Sequence, residues 1–228
     1  GFLREETIRL AWQVNTKNKI GFYYADKYRC QCLHPGATTS NEAITNAFVF
    51  DPFNDQWAEW SSPATNRLLF EAGFFRHGET WGNTPASTDL VDPTRVGVLD
   101  VAPPPGQIVQ FYHGVFGNAA TPSTNPNYRS RFAVSYITGT HTFKTGFDDS
   151  WSSVHAYSYT TVPISYTFLG GVPISLTEYS NTYPNQIDTR SNVKADGGAF
   201  VQDSWRHDRM TLMGGLRFDW FNAYLPAY

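Results

Sequence analysis

The feature that most narrows the folds open to this chain is a period-two alternation that returns in segment after segment. In residues 7–15 the even positions hold Ile8, Leu10, Trp12 and Val14, and the odd positions hold Thr7, Arg9, Ala11, Gln13 and Asn15. Successive side chains of a strand point to opposite faces, so such a segment is a ribbon with one apolar and one polar side. A tight turn at Thr16-Lys17-Asn18 follows, and residues 19–24 read as the returning strand. The unit recurs three times. Residues 57–62 and 67–77 flank a turn at Pro63-Ala64-Thr65-Asn66, residues 131–137 and 141–151 flank Thr138-Gly139-Thr140, and residues 193–205 and 209–221 flank Arg206-His207-Asp208. In the last strand Leu212, Gly214, Leu216, Phe218 and Trp220 share one face. Thr211, Gly215, Arg217 and Asp219 share the other, with Met213 breaking the pattern.

Between the hairpins lie long stretches rich in Pro, Gly, Asn, Ser and Thr, at about residues 30–56, 82–129 and 158–187, with Pro103-Pro104-Pro105-Gly106 the extreme case. The third of these is expected to carry its own small hairpin, residues 164–168 and 172–179, around Gly170-Gly171. Short connections at one end of the strands and long ones at the other match outer-membrane barrels, with periplasmic turns and extracellular loops. A compact soluble domain seldom holds structureless loops of this length. The expected fold is therefore all-β: an antiparallel transmembrane β-barrel segment spanning residues 1–228. It would supply about eight strands of a barrel of roughly 22 with a plugged lumen.

Composition agrees with strands that set one face against something apolar. Aromatic residues make up 16% of the 228 residues and charged residues also 16%, below the usual quarter. A net charge of -3 gives no case for nucleic acid, which asks for a basic patch. No stretch approaches the roughly 18 consecutive apolar residues of a membrane helix, and a polar lumen face accounts for the negative mean hydropathy. Gly1-Phe2-Leu3-Arg4-Glu5-Glu6 has neither the basic nor the apolar region of a signal peptide, and residues 221–228 read as a strand running into a loop. The expectation is an internal piece of a longer protein, without plug or signal peptide.

In hydrocarbon every backbone N–H and C=O must be paired within the protein, so with helices excluded only a closed barrel serves. Ile8, Leu10, Trp12, Phe70, Phe74, Phe132, Val134, Leu216 and Phe218 are expected to face lipid. Arg9, Gln13, Arg67, Glu71, Arg131, Lys144, Arg217 and Asp219 are expected to face the lumen, against the plug, water or a passing substrate. Trp12, Tyr23, Tyr24, Trp57, Trp60, Trp81, Trp151, Trp205 and Trp220 fall on or at the ends of the strands, where amphipathic rings settle at headgroup level.

The run Gly198-Ala199-Phe200-Val201-Gln202-Asp203-Ser204-Trp205-Arg206, then Met210-Thr211-Leu212, then Gly215-Leu216-Arg217-Phe218-Asp219-Trp220-Phe221-Asn222, resembles a recurrent barrel hairpin of TonB-dependent transporters. Asn15-Thr16-Lys17-Asn18-Lys19-Ile20 with Phe22-Tyr23-Tyr24, His141-Thr142-Phe143-Lys144-Thr145-Gly146-Phe147-Asp148 and Phe168-Leu169-Gly170-Gly171-Val172-Pro173 resemble the Oar-like branch. The likeness covers most strands and little of the long loops. It implies an outer-membrane location, a plug inside the barrel, a TonB-contacting segment nearer the N-terminus, and energy-coupled import of an unidentified substrate. None of those further parts lies in this sequence.

Other chemistry is sparse. Cys30-Gln31-Cys32 stands at the start of a long loop with only His34 nearby, too few ligands for a structural zinc. Two thiols or a disulfide remain open. His34, His77, His113, His141, His155 and His207 are scattered without ligand spacing, and Asp51 to Asp55 and Asp148-Asp149 lack the repeat of a calcium loop. No Gly-x-Ser-x-Gly, P-loop or dinucleotide-binding pattern occurs. The chain is expected to be no enzyme and to hold no cofactor. The competing reading is a secreted or surface β-sandwich that binds carbohydrate through aromatics mixed with Asp and Asn. A passive porin or adhesin barrel is a third.

Overall fold

Alternating sequence becomes long antiparallel ladders. The computed structural model describes residues 1–32, 46–85, 94–102, 105, 111–113, 119–182 and 184–226. In chain order the strands are β1 (Phe2–Asn15), β2 (Asn18–Gln31), β3 (Asn46–Pro63), β4 (Leu68–Pro85), β5 (Val96–Asp100), β6 (Phe111–His113), β7 (Ala119–Ala120), β8 (Ser123–Thr124), β9 (Asn127–Thr138), β10 (His141–Thr160), β11 (Ile164–Leu169), β12 (Val172–Glu178), β13 (Ile187–His207) and β14 (Met210–Tyr224). No described residue is helical. Eight long strands form one sheet in the order β1-β2-β3-β4-β9-β10-β13-β14, with β8 continuing the seam between β4 and β10 above β9 and β7 pairing with β10. Each long strand is antiparallel to its neighbours.

The four tight turns close with local chemistry. Asn15 Oδ1 accepts from the backbone N–H groups of Lys17 and Asn18, both at 2.9 Å, an Asx-type turn. Thr65 Oγ1 accepts from Arg67 N (3.2 Å) and Leu68 N (3.1 Å). Gly139 takes φ 54° between β9 and β10, and Asp208 takes φ 49° between β13 and β14, a conformation Asp tolerates better than most residues.

The far ends of the strands differ from expectation. Stretches read as irregular loop are partly ladder: β2 runs to Gln31, β3 begins at Asn46, β4 continues to Pro85, and β10 and β13 reach 20 and 21 residues. The membrane crossing expected from the sequence needs only about 9–11 residues, so these strands are longer than such a crossing requires. Bulges hid the extensions of β3 and β13. The register slips between Lys27 and Arg29, around Pro52 between Phe50 and Phe53, and between Ser150 and Ser152. The first two are one bulge, an extra residue of β3 at Asp51-Pro52, and the third is an extra residue of β13 between Val193 and Asp196. The alternation therefore inverts within β3 and β13, and Pro is tolerated in a ladder at such a point.

The small hairpin is present as β11–β12. It belongs to a second sheet ordered β12-β11-β5-β6, in which β11 runs parallel to β5. Asp100 fastens its tip. One carboxylate oxygen accepts from Gly170 N at 2.9 Å and the other from Gly171 N at 2.8 Å, with Ala102 N also donating at 3.0 Å. Gly170 and Gly171 have φ of 60° and 83°, a two-residue turn that side chains larger than glycine resist.

The described residues enclose almost no interior. Among the described residues the buried hydrophobics are Ala25, Cys30, Ala47 and Val162. The accessible surface is 14324 Å², against about 10,400 Å² for a compact monomer of this mass. Apolar side chains instead stand exposed: Trp12 63%, Leu216 79% and Phe218 71%. The β-sandwich considered above would bury such residues between two sheets, whereas here the eight long strands form one.

Candidate functional site

Cross-strand partners share a face, so the register sorts side chains across the whole sheet. One row runs Trp12–Ile20–Trp60–Ala72–Phe132–Phe147–Ala199–Phe218. A parallel row adds Phe70, Val134, Val201 and Leu216, and Ile8, Leu10 and Phe74 lie on the same face by alternation. All nine residues expected against lipid thus share one face. Rings run obliquely across it, Trp60 to Phe70 at 6.5 Å, Phe70 to Phe132 at 6.4 Å and Phe132 to Phe147 at 6.1 Å. Followed upward from the turns, this face first meets Glu6, Asp26, Gln56, Arg76 and Asp149 on β1, β2, β3, β4 and β10. Arg76 donates to Asn54 Oδ1 at 2.7 Å and lies over Tyr128, and Trp220 Nε1 donates to Asp149 Oδ1 at 3.2 Å. An apolar band bounded by aromatic and charged side chains results.

The opposite face is built differently. Its central row is Ala11–Gly21–Glu59–Gly73–Arg131–Asp148–Gly198–Asp219, long charged side chains alternating with glycine or alanine or meeting a carboxylate. The glycines admit the neighbours: a Cβ on Gly73 would lie 2.9 Å from Arg131 Nε, and one on Gly21 would lie 2.8 Å from Glu59 Cγ. The charged chains therefore lie flat across the strands. Arg9, Gln13, Glu71, Arg131, Lys144, Arg217 and Asp219 all occupy this face. Arg67 sits in the β3–β4 turn, one residue before β4, where the Thr65 cap ends the strand early.

Ion pairs knit these residues together. Lys144 Nζ reaches Glu71 Oε2 at 2.9 Å across β9, whose intervening Ala133 and Ser135 are small. Asp148 accepts from Arg217 at 2.9 Å and Arg129 at 3.2 Å, and Arg217 Nε also meets Asp219 at 2.6 Å. Higher up, Asp55 takes Lys27 at 2.7 Å and His77 at 2.6 Å. A cleft of about 610 Å³ opens on this face, with Trp57, Phe75, Arg131, Lys144 and Phe200 in its wall.

Sequence reasoning missed an aromatic column here. Tyr23, Trp57 and Trp81, expected at the membrane interface, are on the polar face instead, because their parity opposes that of Tyr24, Trp60 and Phe74. Phe48, Phe50 and Phe53, assigned to a loop, are ladder residues of β3 above Trp57, opposite Asn83, Trp81 and Glu79.

A model of the outer membrane beta barrel domain matches residues 3–227. The chain belongs to that family. It is accordingly a β-barrel protein of the bacterial outer membrane. The crystal structure of the outer membrane transporter YddB from Escherichia coli is similar at 9% identity and a TM-score of 0.37, over 98% of this chain and 35% of that one. The chain thus spans about a third of that transporter's length. A search of curated proteins gives no match.

The remaining candidates resolve simply. Cys30 and Cys32 are joined as a disulfide, the alternative that spacing left open. The histidines of the strands do have partners, drawn from neighbouring strands and so invisible to spacing along the chain: His141 with Asp203 at 2.6 Å, His155 with Asp188 at 2.6 Å, and His77 with Asp55. Among the described residues no group of three or more His, Cys, Asp or Glu is arranged to hold a metal. His34 and most of the proline-rich loop fall outside the described residues.

Proposed function

We propose that this chain is the wall of an energy-coupled outer-membrane transporter of the TonB-dependent kind, closed into a barrel by further strands and filled by a plug elsewhere in the same protein. The observation that carries the reading is the two-faced sheet: an exposed apolar band with aromatic margins on one side, and flat charged side chains over glycines on the other. Hydrocarbon accepts the first face at no cost, whereas a charged side chain in mid-bilayer costs about 2–4 kcal/mol. The charged face then lines the lumen, with the tight turns periplasmic and the overshooting strands extracellular. TonB coupling is supported by the hairpin at residues 198–222 and by the Oar-like passages. The transported substrate is open, and the barrel's work is import rather than catalysis.

The test uses the full-length protein. Immobilised TonB C-terminal domain should retain it from detergent extract, and failure to do so would leave a passive barrel. Leu216→Cys in outer-membrane vesicles should react with a lipid-soluble maleimide and Arg217→Cys with a water-soluble one. The reverse pattern would invert the faces.

A further inference from the structure

The polar face carries more aromatic surface than a water-filled wall requires. Phe48, Phe50 and Phe53 follow one another down β3 on that face, with ring centroids 5.4 Å apart from Phe48 to Phe50 and 5.8 Å from Phe50 to Phe53. Trp57 continues the line beyond Asp55, whose carboxylate is taken up by Lys27 and His77. Trp81 on β4 widens the column, 6.2 Å from Phe50 and nearly parallel to it. Trp57 is 37% exposed at the lower end and borders two clefts, the one of about 610 Å³ and another of about 260 Å³ shared with Arg9 and Tyr23. At roughly 3.3 Å per residue the column is about 30 Å long, several sugar rings in extent.

Cations accompany the rings on the adjoining strands. Arg29 lies over Phe50 at 5.3 Å, Lys27 over Phe53 at 4.8 Å and Arg9 over Tyr23 at 5.8 Å. Lys27 is neutralised by Asp55. Arg9, Arg29 and Arg131 form no ion pair with any described carboxylate. Aromatic faces stack on apolar ring surfaces, and unpaired guanidinium groups bind carboxylates or sulfates in bidentate fashion. Phe48, Phe50 and Phe53 pack on one another yet stay half-buried, and Trp57 is exposed, so ring surface is left open beside the arginines.

We propose that this column is a binding track for a linear acidic oligosaccharide, which slides along Phe48, Phe50, Phe53 and Trp57 with its anionic groups on Arg29, Arg9 and Arg131. The assignment rests on the lumen reading above, so the experiment separates the two. Full-length protein in detergent is titrated with hexagalacturonate, with maltohexaose as a neutral chain of equal length, and tryptophan fluorescence and calorimetry are read together. Hexagalacturonate should bind and maltohexaose at least tenfold more weakly. Trp57→Ala should weaken hexagalacturonate at least tenfold. Arg29→Gln should narrow the preference for the acidic chain, the triple change Arg9→Gln, Arg29→Gln and Arg131→Gln should erase it, and Leu216→Ala on the other face should change neither affinity nor preference. Heat-modifiable electrophoretic mobility confirms that each variant is folded, and Phe50→Leu provides a milder second variant. Equal binding of the two chains, absence of binding, or indifference to Trp57→Ala overturns the track. If the cysteine labelling and TonB retention succeed meanwhile, only the track falls. If Trp57→Cys reacts solely with the lipid-soluble reagent, the lumen reading falls with it.

Discussion

Leu216 and Arg217 are neighbours in β14 and leave it in opposite directions, the first 79% exposed on the apolar face and the second clasped by Asp148 and Asp219. Leu216→Arg should cost about 2–4 kcal/mol of barrel stability. An arginine at Gln202, on the polar face opposite Gly215, should cost about 0.5 kcal/mol or less. Urea refolding of the full-length protein into lipid vesicles measures both, and equal costs would remove the basis for assigning the faces. Gly73 makes a second test. Gly73→Val pushes a Cβ into Arg131 and should cost about 1–3 kcal/mol, typical of overpacking. Arg131→Ala should return part of that cost in a double-mutant cycle. At this scale the sequence was readable where alternation was clean: the parity of Ile8, Leu10 and Trp12 settles their shared face. Partners such as His141–Asp203, 62 positions apart, depend on the register between strands, which no local pattern encodes.

Asp100 and the β11–β12 hairpin show how one carboxylate governs an element. Asp100→Ala leaves the N–H groups of Gly170 and Gly171 without their acceptor, each such bond to a charged group contributing about 1.5–3 kcal/mol. Amide exchange at these two glycines should quicken at least roughly tenfold while the β1–β2 ladder is unchanged. Unaltered exchange would show that the turn holds itself. Asp188, far from the membrane end of β13, predicts a pH response. Two hydrogen bonds from Arg190, at 3.2 and 2.9 Å, with the His155 ring 2.6 Å from the other oxygen, outweigh the opposing effect of burial and hold its carboxyl below the usual 3.8. A depressed folded pKa means that the contribution is complete above pH 3.8 and is lost as pH falls through the lower folded value. The protection of the Ala156 amide relative to its intrinsic exchange rate should therefore fall on strong acidification in the native protein, and Asp188→Asn should show that lower protection already at neutral pH. A native protein without the acid-dependent step would discount the pairing. Hairpins were legible because their turns carry Asn15, Thr65 and Gly139 at the positions that make turns. The outer ends of β3 and β13 were not, because the bulges at Pro52 and Lys194 invert the pattern that marks a strand.

As a whole the sheet leaves β1 and β14 with one neighbour each, so residues 1–228 expressed alone should associate through those edges. Size exclusion in detergent should give heterogeneous oligomers, whereas the full-length protein should run as one species. A discrete monomer from the segment would mean that it closes on itself. The general class was legible from alternation and low charge, while the second sheet was not, since a parallel pairing between β5 and β11 joins segments more than sixty residues apart by no local signal. The long strands carry one last consequence. If the barrel imports as proposed, its described strand ends offer a rim of hydrogen-bonded ladder that is ordered beforehand, so an incoming molecule need not freeze out those segments in order to settle. Arrival should then be quick and only weakly dependent on temperature, and selectivity should reside in how long a molecule stays rather than in how often it lands.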